Sequence, residues 1–191
     1  YDETKHHHLA DLLNHDPKTL EGTYSSHFYW MLGYPDRAVS VSDGKDEHAR
    51  RRGHPFDQGF ALSTGSDVFD YRGEPEELRK RAEECDRLGR DNSMPVLWAL
   101  LAPVRSGMAK IRAGHIVEGM EVLKSGLTIW EGSGGRCHLP YLKSVLAEGL
   151  ALVGDLDGAL RLLDEQIAQI ERPGWEERLH YAEILRLKGW M

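Results

Sequence analysis

Leu32-Gly33-Tyr34-Pro35, Arg72-Gly73-Glu74-Pro75, Ala113-Gly114-His115-Ile116 and Val153-Gly154-Asp155-Leu156 are four versions of one signal, with glycines 40, 41 and 40 residues apart. Such self-similarity marks a repeat architecture. Seven residues before each glycine stands a small side chain, Ser26, Ser66, Gly107 or Ala147. Five residues after it come Ala38, Leu78, Gly119 and Ala159, small in three of the four. That pairing predicts two helices crossing at close range on either side of a turn. The glycine itself suits the left-handed residue that commonly ends a helix. Pro35 and Pro75 then fall in the first turn of the following helix, where a missing N–H is harmless. Asp155 takes the place of proline as a candidate N-cap.

A second set of marks separates one helix pair from the next: Asp16-Pro17, His54-Pro55, Met94-Pro95, Leu139-Pro140 and Arg172-Pro173. Between the marks the apolar residues recur at helical steps, as in Ala159, Leu160, Leu162, Leu163, Ile167 and Ile170. The pattern predicts an all-α chain, an α-α superhelix of about four helical hairpins with further helices at its ends. Helices are expected at about 3–14, 18–32, 36–52, 56–72, 75–89, 95–113, 116–131, 139–153, 156–171 and 175–189. All of 1–191 reads as one domain, with repeats at about 18–54, 55–94, 95–138 and 139–173 and a partial fifth at 174–191. A hairpin buries its apolar faces only against its neighbours, so the unpaired last helix offers an end to which a second copy could bind, forming a homodimer.

The 191 residues carry a net charge of −7. That balance argues against nucleic acid as the partner, because phosphate binding needs clustered lysine and arginine. The one basic run, Ala49-Arg50-Arg51-Arg52, reads as a solvated helix end favoured by the helix dipole. Cys85 and Cys137 are too far apart to suggest a disulfide framework or a zinc ribbon and suit a reducing cytoplasm. No apolar stretch approaches the roughly 18 residues of a membrane helix, and no leader pattern opens the chain. No membrane association is expected. Tyr1 at the start and an unfinished helical pattern at Trp190-Met191 read as an excised part of a longer protein.

The small residue, the glycine seven positions on, the small residue five further on, and an aromatic such as Tyr29 or Phe69 four before the glycine resemble tetratricopeptide repeats. The period is stretched from the usual 34 or so to about 40, and only Gly154 to Gly189, 35 residues, approaches the standard interval. The runs Met31-Leu32-Gly33-Tyr34-Pro35-Asp36-Arg37-Ala38, Gly53-His54-Pro55-Phe56 and Ala182-Glu183-Ile184-Leu185-Arg186-Leu187-Lys188-Gly189 look like the C-terminal repeat region of large bacterial regulators. Those regulators resemble class III adenylate or guanylate cyclases joined to a signal-transducing ATPase and then to tetratricopeptide-like repeats. The resemblance spans nearly the whole chain. It implies a region that relays signals by binding proteins or neighbouring domains, with catalysis left to domains this sequence does not include. Lys45 and Gln166, where a small residue is favoured, and His115-Ile116, without the turn proline, depart from the pattern.

Chemistry has little purchase in the sequence. His6-His7-His8, with His15 nearby, point different ways around a helix and read as a polar helix end. Cys137-His138 has no second ligand pair at metal spacing and reads as a connector. The glycine cluster Gly132-Ser133-Gly134-Gly135 lacks the Lys-Ser/Thr of a phosphate loop, and no serine hydrolase, zinc protease or dinucleotide fingerprint occurs. Glu76, Glu77, Glu83 and Glu84 alternate with Arg79, Lys80, Arg81 and Arg87 as a salt-bridged helix face would. Neither an enzyme nor a cofactor or metal is expected.

Binding is expected on the first helix of each hairpin, which lines the concave face of such a stack. Positions ten, six, three and two before each turn glycine are the outward ones. They give Thr23, His27, Trp30 and Met31; Ser63, Asp67, Asp70 and Tyr71; Val104, Met108, Ile111 and Arg112; and Ser144, Glu148, Ala151 and Leu152. His27, Trp30, Asp67, Asp70, Tyr71, Met108, Arg112 and Glu148 are the groove candidates. Trp30, Tyr71 and Arg112 belong to residue types frequent at interface hot spots, and Asp67, Asp70 and Glu148 favour a basic or mixed-charge protein or peptide. A small effector bound between helices is the alternative.

Overall fold

The four glycine turns fold alike in a computed structural model, which describes residues 2–6, 8–13, 15–175 and 177–191. Gly33, Gly73, Gly114 and Gly154 have φ of 81°, 70°, 90° and 91°. In each turn the next residue's N–H reaches back five residues: Tyr34 to the carbonyl of Tyr29, Glu74 to Phe69, His115 to Lys110 and Asp155 to Leu150, at 2.8–2.9 Å. These are Schellman closures, which satisfy carbonyls that the helix end would otherwise orphan. Pro35 and Pro75 begin the next helices, and the Asp155 carboxylate accepts the Gly158 N–H at 2.9 Å as an N-cap.

The elements in chain order are α1 (Glu3–His6), α2 (Leu9–Leu13), α3 (Pro17–Met31), α4 (Pro35–Arg52), α5 (Pro55–Thr64), α6 (Asp67–Tyr71) and α7 (Pro75–Asp91). A π-helical stretch, Val96–Leu101, leads into α8 (Ala102–Arg112), followed by α9 (Ile116–Gly132), α10 (Leu139–Leu152), α11 (Leu156–Glu171) and α12 (Tyr181–Trp190). The described residues form an all-α structure, and no helix among them is long and apolar enough to cross a membrane. Hairpins α3/α4, α5–α6/α7, α8/α9 and α10/α11 pack in sequence, and α12 adds to the last. At the crossings Ser26, Ser66, Ala38, Leu78, Ala147 and Ala159 are all buried. The tightest is α8 on α9: a Cβ added to Gly107 would lie 2.5 Å from the Leu123 nitrogen, and one on Gly119 would lie 2.8 Å from the Gly107 carbonyl oxygen. The apolar core runs from Leu78, Val104, Met108, Leu123 and Leu142 to Leu163, Ile170 and Ile184. The α3/α4 hairpin instead buries Thr19, Thr23, Ser26, His27, Ser42 and Lys45.

Four helices depart from the expected bounds, three of them for a reason visible in their contacts. The helix expected at 56–72 breaks at Gly65-Ser66. Lys45, one of the departures from the repeat pattern, is buried, and its ammonium donates to the Ala61 carbonyl at 2.8 Å while pairing with Asp46 at 2.6 Å. That carbonyl would accept the Gly65 N–H in a continuous helix, and the Gly65 N–H turns to Ser63 instead. Gly22 and Gly65 leave room for the lysine stem, since a Cβ on either would collide with it. In the helix expected at 95–113, Pro103 has no N–H to give and its ring crowds the carbonyl of Ala99. The preceding turn widens to π geometry, with the Ala102 N–H bonded to the Leu97 carbonyl. The last helix begins at Tyr181 rather than Trp175, because Glu177 and His180 are engaged by other hairpins. The first helix, expected at 3–14, is divided between α1 and α2. His7 of the histidine run lies outside the described residues. On α7 the expected face is formed, with Arg79 on Glu76 at 2.7 Å and Lys80 on Glu77 at 2.8 Å.

Candidate functional site

Because the turns repeat, residues just before them are delivered to one region. Trp30 lies in the last turn of α3, Asp70 and Tyr71 end α6, and Arg112 ends α8. Together with Met31, Arg72, Tyr141, His180, Glu183 and Arg186 they line a half-open cavity of about 740 Å³. Its wall is aromatic: Trp30 lies 5.4 Å from Tyr71 between ring centroids, Tyr71 meets Tyr141 edge-on at 5.6 Å, and Tyr141 stacks on His180 at 4.1 Å. The Tyr71 hydroxyl shares a hydrogen bond of 2.6 Å with His180 Nε2 across 109 residues of sequence. Burial, reinforced by the charge of Asp67 for Tyr71 and of Asp70 for Tyr141, holds both phenols well above their usual pKa, so both stay protonated.

Behind the aromatic wall the charges are paired internally. Arg112 donates to Asp70 through Nε at 2.8 Å and also bonds Glu148, while the Tyr141 hydroxyl donates to Asp70. Deeper, Arg105 grips both oxygens of Asp67, with Nη2 3.2 Å from Oδ2. His27 Nε2 sits 3.0 Å from the same Oδ2. Burial, the largest single influence, would raise the pKa of Asp67, but Arg105, the His27 hydrogen bond and His138 together outweigh it, and the carboxyl is held below its usual range. The His138 ring stands 5.2 Å from that of His27 and 5.5 Å from that of His180.

The sequence-selected positions therefore divide. Those two or three before the turns supply Trp30, Met31, Asp70, Tyr71 and Arg112 to the cavity. Those ten before, Thr23, Ser63, Val104 and Ser144, are wholly buried, as are His27, Asp67 and Met108 six before. They face the adjoining hairpin rather than solvent, so Met108 packs the core and His27 and Asp67 form the buried network. Glu148 is half-buried against Arg112. Asp67 pairs with Arg105, and Asp70 and Glu148 share Arg112, so all three carboxylates are engaged within the chain. Sequence reasoning missed Arg105, His138, Tyr141 and His180. Arg105 alone carried a signal, a charge in the apolar run Leu100 to Met108. His138, read as part of a connector, is buried, whereas Cys137 beside it is exposed.

Acid should weaken this arrangement. Burial pushes His138 down to about 4, with Asp67 opposing and His27 and Arg105 assisting; burial likewise pushes His180 down to about 3. In the unfolded chain both titrate near pH 6.5. Between about pH 6.5 and 4 the unfolded state then binds protons that the folded state does not, so the stability these groups contribute is complete above that window and falls as pH drops through it. Urea unfolding at pH 7.5, 6 and 5 should show a falling midpoint. An unchanged or rising midpoint at pH 5 would refute the burial of neutral imidazoles.

No protein-family model, curated protein or solved structure matches the chain.

Proposed function

We propose that the chain is a tetratricopeptide-like superhelical module of a larger cytoplasmic signalling protein, and that it holds a protein or peptide partner rather than carrying out chemistry. The convergence of Trp30, Tyr71 and Arg112 carries this reading. They are contributed 41 residues apart by three successive repeats, and they line one cavity. The four identical turns and the small-residue crossings support the superhelix. The three guanidinium groups of the lining are paired within the chain, Arg72 with Asp36 and Glu74, Arg112 with Asp70 and Glu148, and Arg186 with Glu183. With those charges engaged, the aromatic wall of Trp30, Tyr71 and Tyr141 is what the cavity offers a partner, and it suits an aromatic or apolar anchor.

Peptide display against the chain, followed by calorimetry of the selected sequences, tests this. Enriched peptides should share an aromatic or apolar anchor residue. Trp30→Ala should weaken them by about 2 kcal/mol, roughly 30-fold, as truncation of a buried hot-spot tryptophan does. A second reading, a small effector in the same cavity, draws on the polar Tyr71–His180 pair in its lining and on a volume inside the range of about 300–1,000 Å³ typical of small-molecule sites. Failure to enrich any peptide, with saturable binding of a metabolite from a panel, would replace the first reading with the second.

A further inference from the structure

We propose that His27, Asp67 and His138 form a zinc site that ties the first, second and fourth hairpins together behind the cavity. One ligand-capable atom from each lies within 4.8 Å of the other two. His27 Nε2 is 3.0 Å and His138 Nδ1 3.7 Å from Asp67 Oδ2. A tetrahedral ion with bonds of about 2.0–2.2 Å holds its ligand atoms roughly 3.3–3.6 Å apart, so both distances to Asp67 Oδ2 stand within a few tenths of an ångström of that spacing, and the two histidine nitrogens lie within 4.8 Å of each other. All three residues are buried.

An independent observation points to the same spot. His138 Nδ1 is buried with no hydrogen-bond partner, and it faces the Asp67 carboxylate at a distance too long for a hydrogen bond. A cation between them would satisfy both groups, and burial makes a proton there unfavourable. His138 is also held in an unusual backbone conformation, φ 61° and ψ 0°, its N–H donating to the Glu177 carboxylate at 2.8 Å. That conformation is uncommon outside glycine, and here it aims the ring inward. Arg105 grips both oxygens of Asp67 and orients the carboxylate as an outer-shell partner does. Oδ2 keeps lone-pair capacity on the histidine side. The Arg105 charge opposes a second cation, and Glu177 beside His138 offsets part of it. Two imidazoles and one carboxylate select zinc or a neighbouring late first-row ion over magnesium or calcium. His27 ligates through Nε2 once its proton sits on Nδ1, a tautomer change with no net proton loss.

The test uses the chain carrying His6→Ala, His7→Ala and His8→Ala, so that terminal histidines do not compete, after treatment with a chelator. Zinc titrated by calorimetry should bind at one equivalent and raise the melting temperature, and cobalt(II) should give the visible bands of a four-coordinate site. His138→Asn retains a residue that tolerates the left-handed backbone but lacks the imidazole. It should weaken zinc more than about 100-fold, since loss even of outer-shell partners costs 10–100-fold. His27→Gln should do the same, and circular dichroism decides which variant is folded and therefore informative. Absence of saturable zinc binding in the micromolar range would overturn the proposal, as would an unchanged affinity and cobalt spectrum in a folded variant.

Discussion

Arg105→Met is expected to destabilise the fold by about 3–5 kcal/mol, the usual consequence of stripping one partner from a buried ion pair. The Asp67 carboxylate has no exposure and keeps its charge only because Arg105 and His27 surround it. Without the guanidinium it must either remain charged in a low-dielectric interior or take up a proton, and both are costly. Pairing the change with Asp67→Asn should restore a large part of the loss, because neither residue is then a buried charge. Urea unfolding of the two single variants and the double, in the presence of a chelator, measures this coupling. A loss below about 1 kcal/mol for Arg105→Met would mean that the network is far less buried than described.

Gly107→Val should cost about 3 kcal/mol or more, at or above the upper end for overpacking. The clash is with backbone: an added Cβ would stand 2.5 Å from the Leu123 nitrogen and 2.7 Å from its Cα. Side chains can rotate away, but α8 and α9 would have to separate along their whole contact. Gly44 on α4 is the control. Nothing lies within 4 Å of a Cβ built there, and its φ is ordinary. Gly44→Ala should therefore stabilise the protein by roughly 0.5–1 kcal/mol through helix propensity. Equal effects at the two positions, read from thermal and urea unfolding, would contradict the close crossing.

Much of the fold was legible because a turn glycine and a small crossing residue are local requirements. Gly33, Gly73, Gly114 and Gly154 each need a left-handed backbone whatever surrounds them. Gly107 and Gly119 are small because their partner helix is only a few residues away along the chain. The helix interruptions were less legible. Pro103 is a signal carried in the sequence itself. Lys45, by contrast, breaks α5 from α6 with a side chain sent across from another hairpin, and Glu177 restrains the start of α12 by holding the backbone of His138.

The site divides along the same line. The repeat register pointed to Trp30, Asp70, Tyr71 and Arg112, which line one cavity, but equally to His27, Asp67 and Met108, which are buried behind it. What fills the space behind them was decided by tertiary structure. Asp67 gathers His27, Arg105 and His138 from positions 40, 38 and 71 residues away, and Tyr71 meets His180 at a separation of 109. No periodicity encodes such pairings. They arise where buried charges and imidazoles on separate hairpins find one another on stacking, since a buried polar group is stable only when partnered.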